Sequence, residues 1–314
     1  MTLPMGRPMR EIFGETVAEL ANDDPRIVML DAYVGSSTRA DIFEKAHPER
    51  YLQMGIAEQN MLGVAAGLAT MGLIPFVSTF VSFAVVRPLD QIRVLIAQTG
   101  LNVKITPGYA GLFTGQTGMS HIIVDDMSIM RAMPGMVTVS PADDVEARQV
   151  LRWAAAYDGP CYVRLVRDAT QRLFGDDYRF AFGKAVTVRE GRDVTLISTG
   201  TQTPRVVEAA DLLAAGGIDA HVVHVPTIKP LDVAAIVAAA ERTGRVVTVE
   251  EHSVIGRLGG AVAEVLSEHR PTTVNRIGLQ DLYPESGPND ALLEIYGLSA
   301  RRVAEQVRGI LRPA

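Results

Sequence analysis

Met61-Leu62-Gly63-Val64-Ala65-Ala66-Gly67-Leu68-Ala69-Thr70-Met71-Gly72-Leu73-Ile74-Pro75-Phe76-Val77-Ser78-Thr79-Phe80-Val81-Ser82-Phe83-Ala84-Val85-Val86 carries no charge, and its parsing decides the fold. An apolar run of this length can span a bilayer. Its punctuation argues against that. Gly63, Gly67 and Gly72 interrupt it, Pro75 separates Ile74 from Phe76, and Ser78, Thr79 and Ser82 follow. Glycine weakens a helix interior and proline breaks it. The run therefore reads as a buried helix to Met71, a short strand from Ile74 to Val77, and a second helix.

The same alternation extends in both directions. Met9, Ile12, Phe13, Val17 and Leu20 recur at helical spacing before Asn22-Asp23-Asp24-Pro25. Ile27 to Leu30 then reads as a buried strand closed by Asp31, and Tyr51 to Met54, Val103 to Ile105, Met136 to Val139 and Tyr162 to Val166 as further strands. Asp143 and Glu146 have capping-box spacing for a helix from Val145 to Ala156. A weaker, mixed stretch from Gln171 to Gly191 marks a boundary. Beyond it, strands at Val194 to Ser198, Val222 to Val225, Val246 to Val249 and Val274 to Ile277 alternate with helices at Thr203 to Gly216, Asp232 to Arg242, Gly260 to Glu268 and Ala300 to Leu311. Such alternation implies α/β architecture with two doubly wound parallel-sheet domains, over residues 1–180 and 190–314. Ligands are expected beyond the carboxyl ends of the strands.

Composition narrows the function. The 314 residues are 47% apolar and 21% charged, which is globular composition. The net charge of −6 and the lack of a basic run argue against nucleic-acid or anionic-membrane binding. The one cysteine, Cys161, excludes an intrachain disulfide and reads as a buried, inert thiol. Met1 to Phe13 lacks a secretory apolar core, so a cytoplasmic location is expected. No histidine pair has convincing metal-ligand spacing with a third group, so no metal is assigned to this chain.

Glu58, in Gly55-Ile56-Ala57-Glu58-Gln59-Asn60-Met61, opens the apolar helix. Taken alone it is a first-turn carboxylate stabilised by the helix dipole. Phe80 and Phe83 share one helical face and, taken alone, are core packing. Considered together with Arg87 and Asp90-Gln91-Ile92-Arg93, these segments resemble the transketolase family: its pyrimidine-binding domain followed by its C-terminal domain, over nearly the whole chain. The second half carries the resemblance in Val249-Glu250-Glu251-His252-Ser253-Val254-Ile255-Gly256 and in Tyr283-Pro284-Glu285-Ser286-Gly287.

The resemblance implies thiamine diphosphate chemistry. Glu58 falls on the glutamate that contacts the aminopyrimidine, Phe80 on the aromatic flanking that ring, and Phe83 lies in the same pocket, with Ile56 and Tyr33 beside the cofactor. A carboxylate there favours the imino tautomer, whose nitrogen removes the thiazolium C2 proton, and an apolar pocket raises a carboxylate's pKa toward the working range. His121, in Gly118-Met119-Ser120-His121, falls at the end of a glycine-rich loop near the donor sugar and is the second catalytic candidate. The alternative is a hydrogen-bonded structural histidine. Ser37 and Arg167 align with residues that bind the sugar phosphate, although Arg167 also has Asp168 as an ion-pair partner. His252 matches a domain without catalytic residues and reads as structural.

The pattern also departs from the family. Tyr33 stands for an expected aspartate, Tyr109 for a histidine, and Gln116-Thr117 for a Glu-Asp pair. The substrate-binding set is therefore Ser37, Tyr109, Thr117 and Arg167, with an altered donor or acceptor expected. No Gly-Asp-Gly occurs. In the family that segment, with a downstream asparagine, holds the diphosphate through Mg²⁺ on the other half. The resemblance thus implies an N-terminal partner subunit carrying Mg²⁺ and the diphosphate site, self-association in an α2β2 assembly, and transfer of a two-carbon ketol unit from a ketose to an aldehyde. The rival readings are the beta subunit of a 2-oxo acid dehydrogenase and a non-catalytic regulatory subunit of the same fold.

Overall fold

The computed structural model describes residues 3–312; residues 1, 2, 313 and 314, which end the two expected domain spans, lie outside them. The uncharged run folds as helix Glu58–Thr70, a strand Ile74–Ser78 buried along its length, and helix Val81–Val86. Among the described residues no helix is long and apolar enough to cross a membrane.

The strands in chain order are β1 (Met5–Pro8), β2 (Ile27–Asp31), β3 (Tyr51–Gln53), β4 (Ile74–Ser78), β5 (Lys104–Ile105), β6 (Val137–Val139), β7 (Cys161–Val163), β8 (Ala169–Gln171), β9 (Val186–Arg189), β10 (Val194–Ser198), β11 (Ala220–His224), β12 (Thr227–Lys229), β13 (Val246–Ser253) and β14 (Val274–Leu279). They form a seven-stranded sheet, β12-β6-β7-β5-β4-β2-β3, a five-stranded sheet, β14-β13-β10-β11-β9, and a small β1-β8 pair.

Pro75 lies inside a central strand, where proline is unusual. The register explains it. Ile74 donates its N–H to Arg26 O, toward β2. Alternation along a parallel ladder turns the next position toward β5, whose pairing starts only at Phe76↔Lys104. The missing N–H therefore leaves no rung unmade.

Both main sheets are parallel inside and antiparallel at one edge. The stretch from Gln171 to Gly191 contains β9, which pairs antiparallel with β11. More consequentially, β12 from the second half pairs antiparallel with β6 of the first sheet, Thr227 opposite Val139. The main core follows the same crossing. It runs from Met9, Phe13 and Phe76 to Ile197, Ile236 and Leu258, while a second core under the other face gathers Val206, Leu213, Val303 and Val307. Each such side chain, fully buried, contributes roughly 1.5–3 kcal/mol.

Helix ends follow from their caps. The Asp143 side chain accepts from Glu146 N–H at 2.9 Å, and helix Asp144–Ala156 begins there. The return bond goes to Ala142 N–H, not to the cap residue itself, because Glu146 also meets His224 Nε2 at 2.9 Å. Ser299 caps helix Ala300–Leu311, which the spacing of Val303, Ala304 and Val307 seats on the second core.

Candidate functional site

In the first sheet β2 leads to β3 on one side, while β4 leads to β5 on the other. Loops leaving strands that turn opposite ways open a crevice between them. Three of the loops at this edge carry site candidates: Ala32 to Ser37 after β2, Thr79 to Phe83 after β4, and Pro107 to His121 after β5. The last two are joined beyond the sheet. Val81 N–H donates to Gly108 O at 2.9 Å and Gly108 N–H to Thr79 O at 3.0 Å. That extension brings the Phe80 ring to 4.2 Å from Tyr109.

A continuous row of side chains follows. Glu58 is 4% exposed, and its Oε1 takes a 2.8 Å hydrogen bond from Arg87. Its other oxygen takes no hydrogen bond from the described residues. The expected pocket is therefore not purely apolar at the carboxylate. The Arg87 guanidinium lies 3.9 Å over the Phe83 ring. Phe83 meets His121 edge-on at 5.0 Å, and His121 lies 5.8 Å from Phe80. Tyr109 completes the row. Its hydroxyl receives hydrogen bonds from Arg167 Nε at 3.1 Å and Arg10 at 3.4 Å, and donates to Ser37 O at 3.3 Å. One end is thus a nearly buried carboxylate and the other a pair of guanidiniums on one phenol.

Arg10 was not among the sequence candidates. On its helix it is simply the polar neighbour of buried Met9, and nothing local marks it. Ser37 joins the group through its backbone carbonyl, which Arg10 also bonds at 3.2 Å. Arg167 makes both contacts considered for it, since it also pairs with Asp168 at 2.8 Å. Tyr33 and Ile56 stand apart, 71% and 74% exposed. Thr117 is exposed and bonds its own loop at Thr114 O, 2.6 Å away. Non-glycine residues with positive φ are Tyr33, Arg39 and Tyr109 among the described residues. Backbone strain of this kind concentrates at ligand sites.

The second domain holds the loop from behind. Leu112 N–H donates to Glu251 Oε1, and Arg164 bonds Glu251 Oε2 at 3.1 Å. Gly111 has φ +60°, and a Cβ there would collide with the Glu251 carboxylate and Arg164. Asn289 reaches the same loop at Gly115. A cleft of about 570 Å³, lined by Gln116, Asp168, Arg205 and Asn289, runs beside it.

A buried cluster between the domains is structural. Arg164 also bonds Asp126 at 3.0 Å, and Tyr162 bonds the same carboxylate at 2.6 Å. His252 Nε2 lies 3.5 Å from Asp126. Burial opposes ionisation of Asp126, yet Arg164, His252 and Arg257 outweigh it and hold its pKa below the ordinary value. Burial, then Arg257, pushes His252 down to about 3. Burial pushes the Cys161 thiol up to about 11, which leaves it protonated and inert. No group of three or more histidine, cysteine, aspartate or glutamate side chains among the described residues could hold a metal ion.

Comparison with known proteins adds independent findings. The transketolase pyrimidine-binding domain matches residues 6–172 and the transketolase C-terminal domain residues 183–303. A putative transketolase C-terminal section of Methanocaldococcus jannaschii is 42% identical over 302 residues, covering 95% of each chain. A 6-deoxy-6-sulfo-D-fructose transketolase subunit of Clostridium sp. (strain MSTE9) is 41% identical, over 94% of this chain and 92% of that one. Among solved structures, a split-gene transketolase described as an inactive beta4 tetramer superposes with a TM-score of 0.89 at 45% identity, over 98% of both chains.

Proposed function

The chain belongs to the transketolase family, and from that premise we propose that it is the second subunit of a two-component enzyme, moving a two-carbon ketol unit from an anion-terminated ketose to an aldehyde. The row from Glu58 through Phe83, His121, Phe80 and Tyr109 to Arg10 and Arg167 carries this reading. It offers, in order, a proton-holding group, a ring-binding surface, a hydroxyl partner and an anion clamp.

The donor set fits thiamine diphosphate. Glu58 keeps one carboxylate oxygen free of hydrogen bonds from the described residues, and Phe80 and Phe83 offer apolar faces to a heteroaromatic ring. When bound, the cofactor supplies a stabilised carbanion equivalent that can take up the ketol unit. Glu58 would hold a proton at the aminopyrimidine ring nitrogen. Arg87, on its other oxygen, fixes its direction. Phe80 and Phe83 would exclude water from the ring. His121 would exchange protons with a substrate hydroxyl. Arg10 and Arg167 would take the terminal anion through charge-assisted hydrogen bonds, with Ser37 O and Tyr109 fixing their spacing. The sulfonated ketose in the name of the Clostridium relative is consistent with an anionic terminus.

The Mg²⁺-held diphosphate falls to a partner subunit, and the exposed Tyr33 and Ile56 would be covered in the α2β2 assembly. Relatives of matching length, one of them an inactive tetramer of beta chains, support a chain that needs a partner. The test is calorimetry with thiamine diphosphate and Mg²⁺, then ketol-transfer assays, on the chain alone and with its partner. The chain alone should bind weakly and stay inactive, and tight stoichiometric binding would overturn the two-component reading. Tyr33, Tyr109 and Thr117 should shift preference away from common pentose phosphates. If those substrates come out best across a donor and acceptor panel, with kcat/KM of about 10⁴ M⁻¹s⁻¹ or more, the substitutions are neutral. Turnover of 2-oxo acids without ketol transfer would select the dehydrogenase alternative.

A further inference from the structure

We propose that Asn289, in the C-terminal domain, is a positioning residue that sets both the substrate loop and the anion-binding arginine. It is the first residue of helix Asn289–Ile295. Its carboxamide makes three hydrogen bonds. Oδ1 accepts from Gly115 N–H at 3.1 Å, while Nδ2 donates to Phe113 O at 3.2 Å and to Asp168 Oδ2 at 3.3 Å. Two residues earlier, Gly287 N–H donates to Gly115 O at 3.0 Å. Gly115 is therefore gripped through both its N–H and its C=O by the second domain. There is no room for a side chain at Gly115, where a Cβ would strike Gly287 O and Leu292.

The third bond leads out of the loop. Asp168, held by Asn289, pairs with Arg167 at 2.8 Å, and Arg167 in turn bonds the Tyr109 hydroxyl at 3.1 Å. One amide thus fixes two things. Through Gly115 and Phe113 it fixes the loop that runs from Tyr109 to His121. Through Asp168 it fixes the guanidinium facing the substrate's far end. A carboxamide suits this role because it accepts and donates at once; neither a carboxylate nor an alkyl group makes all three bonds. A domain without residues in the row of side chains around Glu58 would in this way set the geometry of substrate binding.

The kinetic consequence rests on the function proposed above, whereas the clamp itself does not, and two measurements separate them. The first is hydrogen exchange of residues 111–117 in the full chain. Asn289→Ala should speed exchange at Gly115 about tenfold, the scale of one lost hydrogen bond. Asn289→Asp retains the acceptor for Gly115 but loses the donor to Phe113 O, so exchange at Gly115 itself should stay closer to the parent than in Asn289→Ala, provided the circular dichroism is unchanged. The second is ketol transfer by the reconstituted complex, comparing a ketose phosphate with erythrulose, which has no terminal anion. Asn289→Asp removes the donor to Asp168 and sets a like charge against it. KM for the ketose phosphate should rise about tenfold, with kcat and the erythrulose reaction changed less than about twofold. Unaltered exchange in Asn289→Ala overturns the clamp. Equal losses for both donors overturn the link to Arg167. If the parent complex transfers no ketol unit, the functional reading fails, and the exchange result still decides the clamp.

Discussion

The two parallel sheets of this chain have the same kind of crevice and treat it in opposite ways. In the first sheet the loops at the opening between β2 and β4 carry half-buried Phe80 and, apart from it, Tyr33, which is exposed to solvent. In the second, the corresponding opening lies between β10, which leads to β11, and β13, which leads to β14. It is filled. Ser198 Oγ bonds across it to Val249 O at 2.8 Å. Arg257, 1% exposed, reaches Ser140 of the first domain at 3.1 Å, and Gly200 leaves room for that serine with φ +58°. Glu251 and His252, at the end of β13, face Arg164 and Asp126. A strand-end crevice is a ligand site only while no neighbouring domain occupies it. Here the second crevice supports the first.

This contrast predicts opposite responses to mutation. The largest effect belongs to the open crevice. Glu58→Gln keeps the shape and a hydrogen-bond acceptor but removes the ionisable group, and steady-state ketol transfer should fall roughly 10²–10⁴-fold, the range for a positioned acid-base group. Stability should move by less than about 1 kcal/mol, because Arg87 is half exposed and such pairs contribute little. Turnover close to that of the parent would reduce Glu58 to a helix-start carboxylate.

The filled crevice should behave the other way. Arg164→Met leaves Asp126 and Glu251 buried without their shared cation. Breaking one partner of a buried ion pair costs about 3–5 kcal/mol, read as a lower thermal midpoint. A midpoint shift no larger than that of Glu58→Gln would erase the distinction between the two crevices.

The smallest effect, taken per pH unit, is a slope. The folded chain holds His252 neutral, with its pKa pushed from 6.5 to about 3, while the unfolded chain takes up a proton. Its contribution is fully present above pH 6.5 and is lost as pH falls from there toward about 3, at about 1.4 kcal/mol per pH unit. Asp126, held below its ordinary value, adds a loss in the same direction as pH falls below 3.8. Urea midpoints of the parent and of His252→Gln across this window should differ in slope, the variant being flatter. Parallel curves would mean that His252 is solvated and not sealed at the domain boundary.

The βαβ rhythm of both domains was legible because buried parallel strands are short apolar runs between amphipathic helices. Strand β9 was readable in principle, since Val186 and Val188 alternate, but four residues at a sheet edge give a weak signal. Strand β12 was not, because its three residues mean nothing until they meet β6. The site divides likewise. Glu58, Phe80 and His121 stand in contiguous motifs. Arg10 meets Tyr109 across a separation of 99 residues, and Asn289 meets Gly115 across 174. Such pairings follow from the fold and leave no trace in local sequence. The family resemblance pointed to Ser37, but not to its carbonyl as the atom involved.

The crossing of β12 into the first sheet governs how the molecule could be cut. The segment between residues 172 and 183 separates the two matched domains in sequence and invites dissection there. A fragment ending at that segment would lose Thr227–Lys229 and leave Val137–Val139 as an outer strand, its backbone N–H and C=O groups bare. An uncovered edge of that kind is a template for intermolecular pairing. The excised first half should therefore aggregate unless the missing strand is supplied as a peptide, because extending the fragment only to residue 229 would strip β13 from β10 and bare a second edge. The two domains are distinct as sequence families and inseparable as folding units.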